Sequence, residues 1–595
     1  MADAGPRAAR AVTVGAWRLE LTDDGDLAHV LLDGVEVLRG VQFVVRDDAW
    51  GTIRGDRDLR IESPGLDDGD GLVAVLRSVH RFPDGVLRAS ARLAVAPDRI
   101  RYEVEATAEG TVVTNRVGFV VLHPLSLAGA EVELRHGEER VSRDRFPADV
   151  APHQPWVGIT GLSVAAPGSG RVLSIDLEGD LFETEDQRNW SDASFKTYSR
   201  PLALPFPYTL GDGETVRQAV EVSAAPGPAS DPVGEVEERR GVLIDRSVVH
   251  PRPRLGIQLG PDDLALERPA LVEAVRRLGV DHVRVDVVCD GDGVRGAEGL
   301  AAVADLPLEL AVHLDPAPST GDDGGLPALA RLLSERTGPL RSVLLFDHAA
   351  PVTAPDAVSR LRSALGALLD ETVVAVGTDD NLAELSRGRP RLAGADEVTF
   401  SLNPQVHDSS DRAVIETVEA VPAMIRTASA LGAGRAVGIG ALTLRPRRSI
   451  YRQGVVVDRL GRDSGSIDAR QPSDFAAAWL TATLAALVAS GVSRVTALEL
   501  TGPRGVLDAD GHLTAAGEVL AAVCSSDGVG IPSVDLSHDI VVLPLSRERA
   551  NLSRERANEA AHALVADLSG RARRVELDGL TVALTPYQAR LVELP

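Results

Sequence analysis

Two rhythms of apolar and polar positions divide this chain, and one gives way to the other near residue 250. Up to about residue 225, apolar residues alternate with polar ones in short runs such as Trp17–Leu21, Leu87–Leu93, Ile100–Glu105 and Val216–Val222, and Leu72–Leu76 adds a short apolar run. A period of two is what a strand with one buried face requires. Asp-Gly pairs such as Asp24-Gly25 and Asp33-Gly34 punctuate the runs and favour tight hairpins. So many short strands exceed one small sandwich. They predict a large, supersandwich-like β-sandwich of two sheets over residues 1–245.

After residue 250 the pattern becomes strand, helix, strand, helix. Apolar runs at 254–259, 282–288, 308–313, 342–346, 372–376, 397–401, 436–440 and 495–499 alternate with helix-like segments such as 269–278, 357–369 and 475–487. Eight such units in about 270 residues match the count and size of a (β/α)8 barrel, predicted over 246–530. A doubly wound sheet is the alternative. The tail, 531–595, returns to short strands at 540–543, 563–566, 574–577 and 580–584 and predicts a small β domain. Within it the hexapeptide Ser546–Asn551 recurs as Ser553–Asn558, a short duplication in a hairpin loop. The predicted class is α/β plus all-β: a central TIM-like barrel, a large N-terminal β-sandwich and a small C-terminal β domain.

Composition narrows the function. A net charge of −25 and the lack of any basic block argue against nucleic acid, whose phosphates must be neutralised. Two cysteines, Cys289 and Cys524, make neither a disulfide framework nor a Cys-rich zinc site. The first ten residues lack the apolar core of a signal peptide, and no later run is long enough to span a bilayer. A cytoplasmic protein with no membrane partner is expected.

One stretch breaks the monotony of Ala, Val, Leu, Gly, Asp and Arg. Residues 181–198 are dense in amide, aromatic and mixed charged side chains, and hold the only lysine of the chain, Lys196, against 61 arginines. A compact ammonium and a planar guanidinium are not equivalent at a tight site, so the surviving lysine points to a need for a point charge. Asn189, one of only six asparagines, lies in the same stretch.

In a barrel, residues at the C-terminal ends of the strands face the active site. These ends offer Asp286, His313 with Asp315, Asp347 with His348, Asp379 to Asn381, Asn403 with Gln405 and His407, Thr443 to Arg445, and Glu499 with Arg504. Singly, each could be a helix cap or a solvated loop residue; together they describe a polar bowl. A retaining glycosidase would need paired carboxyl groups after strands four and seven, and the second is missing. There is no Gly-x-Ser-x-Gly elbow and no His-Glu-x-x-His zinc motif. The Gly291–Gly296 match to Gly-x-Gly-x-x-Gly is flanked by Asp290 and contains Asp292, which would repel a pyrophosphate. No motif calls for a cofactor; a divalent metal at His313, Asp315, Asp347 or His348 stays open.

Three stretches carry a resemblance: Phe182–Tyr198 with Pro201–Pro205, Ser401–His407, and Glu499–Gly505. Together with the three-part layout they resemble the D-apionate lactonase family, whose members open D-apionolactone to D-apionate in apiose breakdown. The third stretch departs from the family pattern, with Pro503 where a Trp is expected. The resemblance implies a sugar-lactone hydrolase acting on a small-molecule lactone.

Lactone hydrolysis needs an activated water, a donor for the oxyanion and an acid for the leaving alkoxide. The expected base is Glu499, with Glu185 as its rival. Lys196 and Arg188 are expected to polarise the carbonyl or hold the nascent carboxylate, and His407 to protonate the leaving oxygen. Asp186, Asn189, Asn403, Gln405, Asp379, Asn381 and Arg504 are the expected substrate-binding set. The competing readings are a glycosidase-like enzyme on a branched pentose and a non-catalytic sugar-binding protein on a glycosidase-type scaffold.

Overall fold

The structure is a computed structural model that describes residues 9–62, 71–137, 140–227, 249–314, 325–347, 350–447, 467–535, 539–546 and 560–594. Asp315, His348, nearly all of the duplicated hexapeptides and the expected boundary at 245/246 lie outside these residues. Two compact units emerge. The first comprises residues 1–188 and 193–237, the second residues 189–192 and 238–595.

The first unit is antiparallel β. Its hydrogen-bonded order runs from Ala9–Val14 at one edge, through Val35–Arg46, Arg116–Pro124, Ser194–Tyr198, Phe182–Asp186 and Trp156–Ala166, to Asp56–Ile61 at the other. The two expected sheets are thus one continuous 16-stranded network. It folds back on itself: Trp17, Leu38 and Phe119 share one core with Leu72, Tyr102 and Val222, and the Tyr102 hydroxyl donates to the Gly25 carbonyl at 2.8 Å. The pleat gives one-sided burial, as in Leu72–Phe82, where every second residue is buried, Ser78 and His80 among them.

The second unit holds the barrel. Its strands are β1 (Arg254–Gln258), β2 (His282–Asp290), β3 (Leu308–Leu314), β4 (Leu340–Asp347), β5 (Val373–Gly377), β6 (Glu397–Leu402), β7 (Ala436–Leu442) and β8 (Arg494–Glu499). All are parallel, and β1 pairs with both β2 and β8, which closes the cylinder. Most strands are buried along their whole length, which is why they read as apolar runs. Helix Asp474–Ala489 is buried from Phe475 to Leu487 on every face. It packs against neighbouring helices and against strands Ile540–Ser546 and Ala560–Asp567 of the C-terminal sheet, so it carries no polar stripe. That sheet also recruits Val249–His250.

The barrel interior departs from the usual filling of branched aliphatic side chains. Arg494, the first residue of β8, is 1% exposed and bridges two buried carboxylates: Nη1 lies 2.5 Å from Glu309 Oε2 and Nη2 lies 2.5 Å from Glu397 Oε1. Thr496 donates to Glu309 at 2.6 Å, and His282 Nε2 lies 2.9 Å from the Thr496 hydroxyl. Burial drives the His282 pKa down to about 4, so its ring is neutral near neutrality. Glycine makes the room. A Cβ on Gly438 would fall 2.1 Å from Glu397 Oε1 and 2.3 Å from Arg494 Nη2, and one on Gly256 would fall 2.1 Å from His282 Nε2.

Candidate active site

The sequence stretch that carries Lys196 folds as a hairpin, Phe182–Asp186 against Ser194–Tyr198, with all ten strand residues buried. Its register sets Glu185 opposite Lys196, and their side chains form an ion pair at 2.6 Å. Burial, reinforced by Arg116 and Arg46, works against the Lys196 charge while Glu185 supports it; the balance lies below the usual lysine range. Arg188 is 1% exposed and braces the turn. It donates to both oxygens of Asp186 at 2.9 and 2.7 Å and to the carbonyls of Pro147, Ala148 and Asp149, with its guanidinium over the Phe195 ring at 4.7 Å. Asp186 also accepts from the Ala151 amide at 2.9 Å. Asp186 and Arg188, expected to touch substrate, thus already hold one another and the neighbouring backbone.

The tip of that hairpin, Asn189–Asp192, belongs to the second unit. Ser386 donates to Asn189 Oδ1 at 3.1 Å, and Arg387 lies 5.0 Å over the Trp190 ring. Trp190 meets the His407 ring edge-on at 5.6 Å. Asp192 Oδ2 sits 2.6 Å from His407 Nδ1. The carboxylate fixes the ring orientation and assigns the proton to Nδ1, so Nε2 faces outward without a hydrogen bond to the described residues. The His407 side chain is 28% exposed. Neither Trp190 nor Asp192 stood out in the sequence, although both lie inside the anomalous stretch.

At the end of β8 the strand deforms. Leu498 takes φ 52°, a left-handed conformation costly for a branched residue. The pairing with β1 slips there, so that Gln258 comes opposite Glu499. Arg494 and Thr496 face the lumen; without this bulge Leu498 would follow them, and with it Glu499 does. Glu499 is 4% exposed, with Arg504 Nη2 3.2 Å from its Oε1, and that oxygen accepts no hydrogen bond. A Cβ on Gly260 would come within 2.8 Å of Glu499 Oε2, so the close approach depends on glycine.

Asp263, which the sequence did not single out, lies beside Glu499. It accepts from the Gly260 amide at 2.6 Å and the Thr501 amide at 2.8 Å, as well as from the Thr501 hydroxyl. Burial, helped by the Glu499 charge, pushes its pKa up to about 7 against these hydrogen bonds. Gln258 is 1% exposed, and neither amide atom has a hydrogen-bond partner among the described residues. Such a buried orphan is rare and marks a place where a polar ligand would be received.

Asp286 and Asp379 face two arginines that sequence reasoning missed. Arg284 reaches Asp286 at 2.7 Å and Asp379 at 2.9 Å, and Arg447 pairs with Asp286. Burial opposes the Arg284 charge, but the two aspartates hold its pKa above the usual range. His313 stacks on Phe346 at 5.2 Å with Nε2 3.8 Å from Asp379. Asn403 donates to Asn381 at 2.9 Å, so the two amides form one unit. Gln405 donates to the Leu444 carbonyl and to Asp468, whose carboxyl is held down at about 2, against burial, by Arg470 and Gln405. The Gly291–Gly296 run is a hairpin turn with Arg295 paired to Asp290 at 2.8 Å. Both cysteines are buried, with pKa values pushed up to about 12, which removes thiolate chemistry. Among the described residues the one cluster with metal-ligand spacing is the exposed Asp508, Asp510 and His512. No helix among them is long and apolar enough to cross a membrane.

Comparison with known proteins adds a lineage. The pattern of the D-apionate lactonase N-terminal domain matches residues 2–227, and that of the D-apionate lactonase TIM barrel domain matches residues 255–528. The D-apionate lactonase of Brucella anthropi is 28% identical over 540 residues, covering 84% of each chain. Among solved structures, a β-arabinopyranosidase matches 98% of each chain at 10% identity with a TM-score of 0.31. An α-galactosidase from Geobacillus stearothermophilus matches 99% of each chain at 11% identity with a TM-score of 0.26. Likeness at that level says nothing of chemistry.

Proposed function

Because the chain belongs to the D-apionate lactonase family, we propose that it hydrolyses D-apionolactone, or a closely related aldonolactone, to the open acid, as a carboxylic-ester hydrolase of apiose breakdown in the cytoplasm. The observation that carries a hydrolytic reading is the Asp192–His407 pair, an oriented imidazole with its Nε2 open. In this reading Glu499 takes the proton of the attacking water through Oε1. His407 gives a proton from Nε2 to the ring oxygen as the acyl bond breaks, with Asp192 balancing the charge of the imidazolium it comes from; solvent then takes the proton from Glu499 and restores the one on His407. Gln258 and the Asn381–Asn403 pair supply hydrogen bonds to hydroxyl or carbonyl oxygens. The scheme balances: water adds across the ester, giving one carboxylate, one alcohol and one released proton.

Acid release settles the matter. Titration at constant pH with D-apionolactone, in parallel with aryl glycosides and with a chelator arm, should show base uptake with the lactone and no aglycone release from the glycosides. Glycoside cleavage without lactone hydrolysis would overturn the reading.

A further inference from the structure

The first unit contains a concentration of positive charge that Glu185 and Asp47 offset only in part. Arg46 and Arg116 stand directly opposite each other on neighbouring antiparallel strands, an arrangement that costs stability when both are charged. Lys196 adds a third cation and shares an aromatic ring with Arg116: its Nζ lies 5.0 Å from the centroid of Tyr198, and the Arg116 guanidinium lies 3.9 Å from it. One carboxylate, Glu185, is ion-paired here, and it is paired to Lys196. Of the neighbouring acids, Asp47 supports the Arg46 charge while accepting from the Ala49 and Gly51 amides, and Glu183 accepts from the Tyr198 hydroxyl and the Leu202 amide.

Arg116 is the key group. It is 5% exposed, and its Nε is buried with no hydrogen-bond partner among the described residues. Its only close partners are the faces of Tyr198 and Trp50, the latter at 5.2 Å. A guanidinium carries five donors in a fork that matches a carboxylate, and leaving a buried one unmet is costly. Trp50 is 37% exposed and stacks edge-on with the exposed Phe206 at 5.2 Å, giving the cluster an apolar rim. Such a rim suits the C–H face of a short carbon chain.

We propose that Arg116, with Arg46 and Lys196 beside it and Trp50 at the rim, forms a site for the carboxylate of a polyhydroxy acid. The choice of a sugar acid rests on the lactonase reading, since ring opening makes such an anion; the anion site itself rests on the cluster alone. The site would hold the product more tightly than the neutral lactone, so the enzyme would be inhibited by its own product.

The test titrates the full-length protein with sodium D-apionate, erythritol and inorganic phosphate, by calorimetry and by the shift in unfolding temperature. D-apionate should bind the wild type, and erythritol should not. Arg116→Met should weaken D-apionate binding at least tenfold, yet unfold no earlier than the wild type in the absence of anions, because it relieves like-charge repulsion. Arg46→Met gives a second reading should Arg116→Met fail to fold, with an expected loss of about threefold or more. Equal affinity in wild type and variants, or erythritol binding as well as D-apionate, overturns the site. Phosphate binding as tightly as D-apionate overturns the ligand class. D-apionate binding lost in the variants, with no acid release from the lactone by the wild type, would refute the lactonase reading and leave the site standing. Lactone hydrolysis without Arg116-dependent binding would do the reverse.

Discussion

Replacing Arg494 by Met keeps the volume of the barrel interior but removes its central positive charge. Glu309 keeps Ser342 and Thr496 as donors, at 3.1 and 2.6 Å, whereas Glu397 keeps Ser493 at 2.7 Å. Both carboxylates are almost completely buried. Breaking a buried pair in this way costs about 3–5 kcal/mol, because the orphaned charge cannot return to water. For a unit of about 360 residues that corresponds to a fall of roughly 4–7 °C in the unfolding midpoint. The effect depends on pH with a definite sign. Burial raises the Glu309 pKa, but Arg494 and His282 lower it by more. In the wild type its contribution is therefore present above the unfolded glutamate pKa and lost as the pH falls through the depressed folded value. In Arg494→Met the buried Glu309 carboxylate loses that support and binds its proton more tightly than in the unfolded chain, so the variant gains stability on acidification. The gap between the two proteins should be widest at pH 8 and shrink toward pH 5. Thermal unfolding of the full-length protein followed by circular dichroism measures this, and adding Glu309→Gln and Glu397→Gln to Arg494→Met should recover at least half of the loss. A single variant within about 1 °C of wild type at pH 8, or a triple variant no better than the single one, would refute the reasoning.

Three further outcomes are expected. Asp192→Asn should lower the hydrolysis rate about 100-fold while leaving the unfolding midpoint nearly unchanged, since the residue orients an imidazole rather than filling a core; an unchanged kcat would remove His407 from the mechanism. Asp263, with a raised pKa of about 7, contributes stability that is full below the unfolded aspartate pKa and is lost as the pH rises through 7. Asp263→Asn should therefore show a flatter unfolding midpoint between pH 4 and pH 8 than wild type, and an equal slope would mean that this carboxyl does not titrate there. Lys196→Arg must fit a larger fork against Glu185 at a buried position, and on the expectation that this charge serves the lactone carbonyl hydrolysis should fall at least tenfold; near-normal hydrolysis would dismiss the inference from the lone lysine.

The barrel was legible because parallel strands buried on both faces appear as uninterrupted apolar runs, and all eight fall within two or three residues of their expected limits. The N-terminal strands were legible for the opposite reason, their strict alternation. The charged interior was not. Arg284, Arg447 and Arg494 did not stand out in the sequence, because the acids that mark them, Asp379 for Arg284, Asp286 for Arg447, and Glu309 and Glu397 for Arg494, lie far away along the chain. The glycines opposite them, Gly256 and Gly438, were the available hint, since a strand interior rarely gives up a side chain without reason. The Asp192–His407 pair spans 215 residues and follows from no local rule. The same is true of Asp263, whose neighbour Glu499 ends the last barrel strand.

Four residues, Asn189 to Asp192, are threaded from the midst of the N-terminal sheet's sequence into the compact unit that holds the barrel. No single cut of the polypeptide therefore releases a barrel with its own full set of residues. A gene fusion or recombination event that exchanged the N-terminal domain would also exchange the partner of His407. Heredity must treat the two units as one cassette, even though their cores are separate.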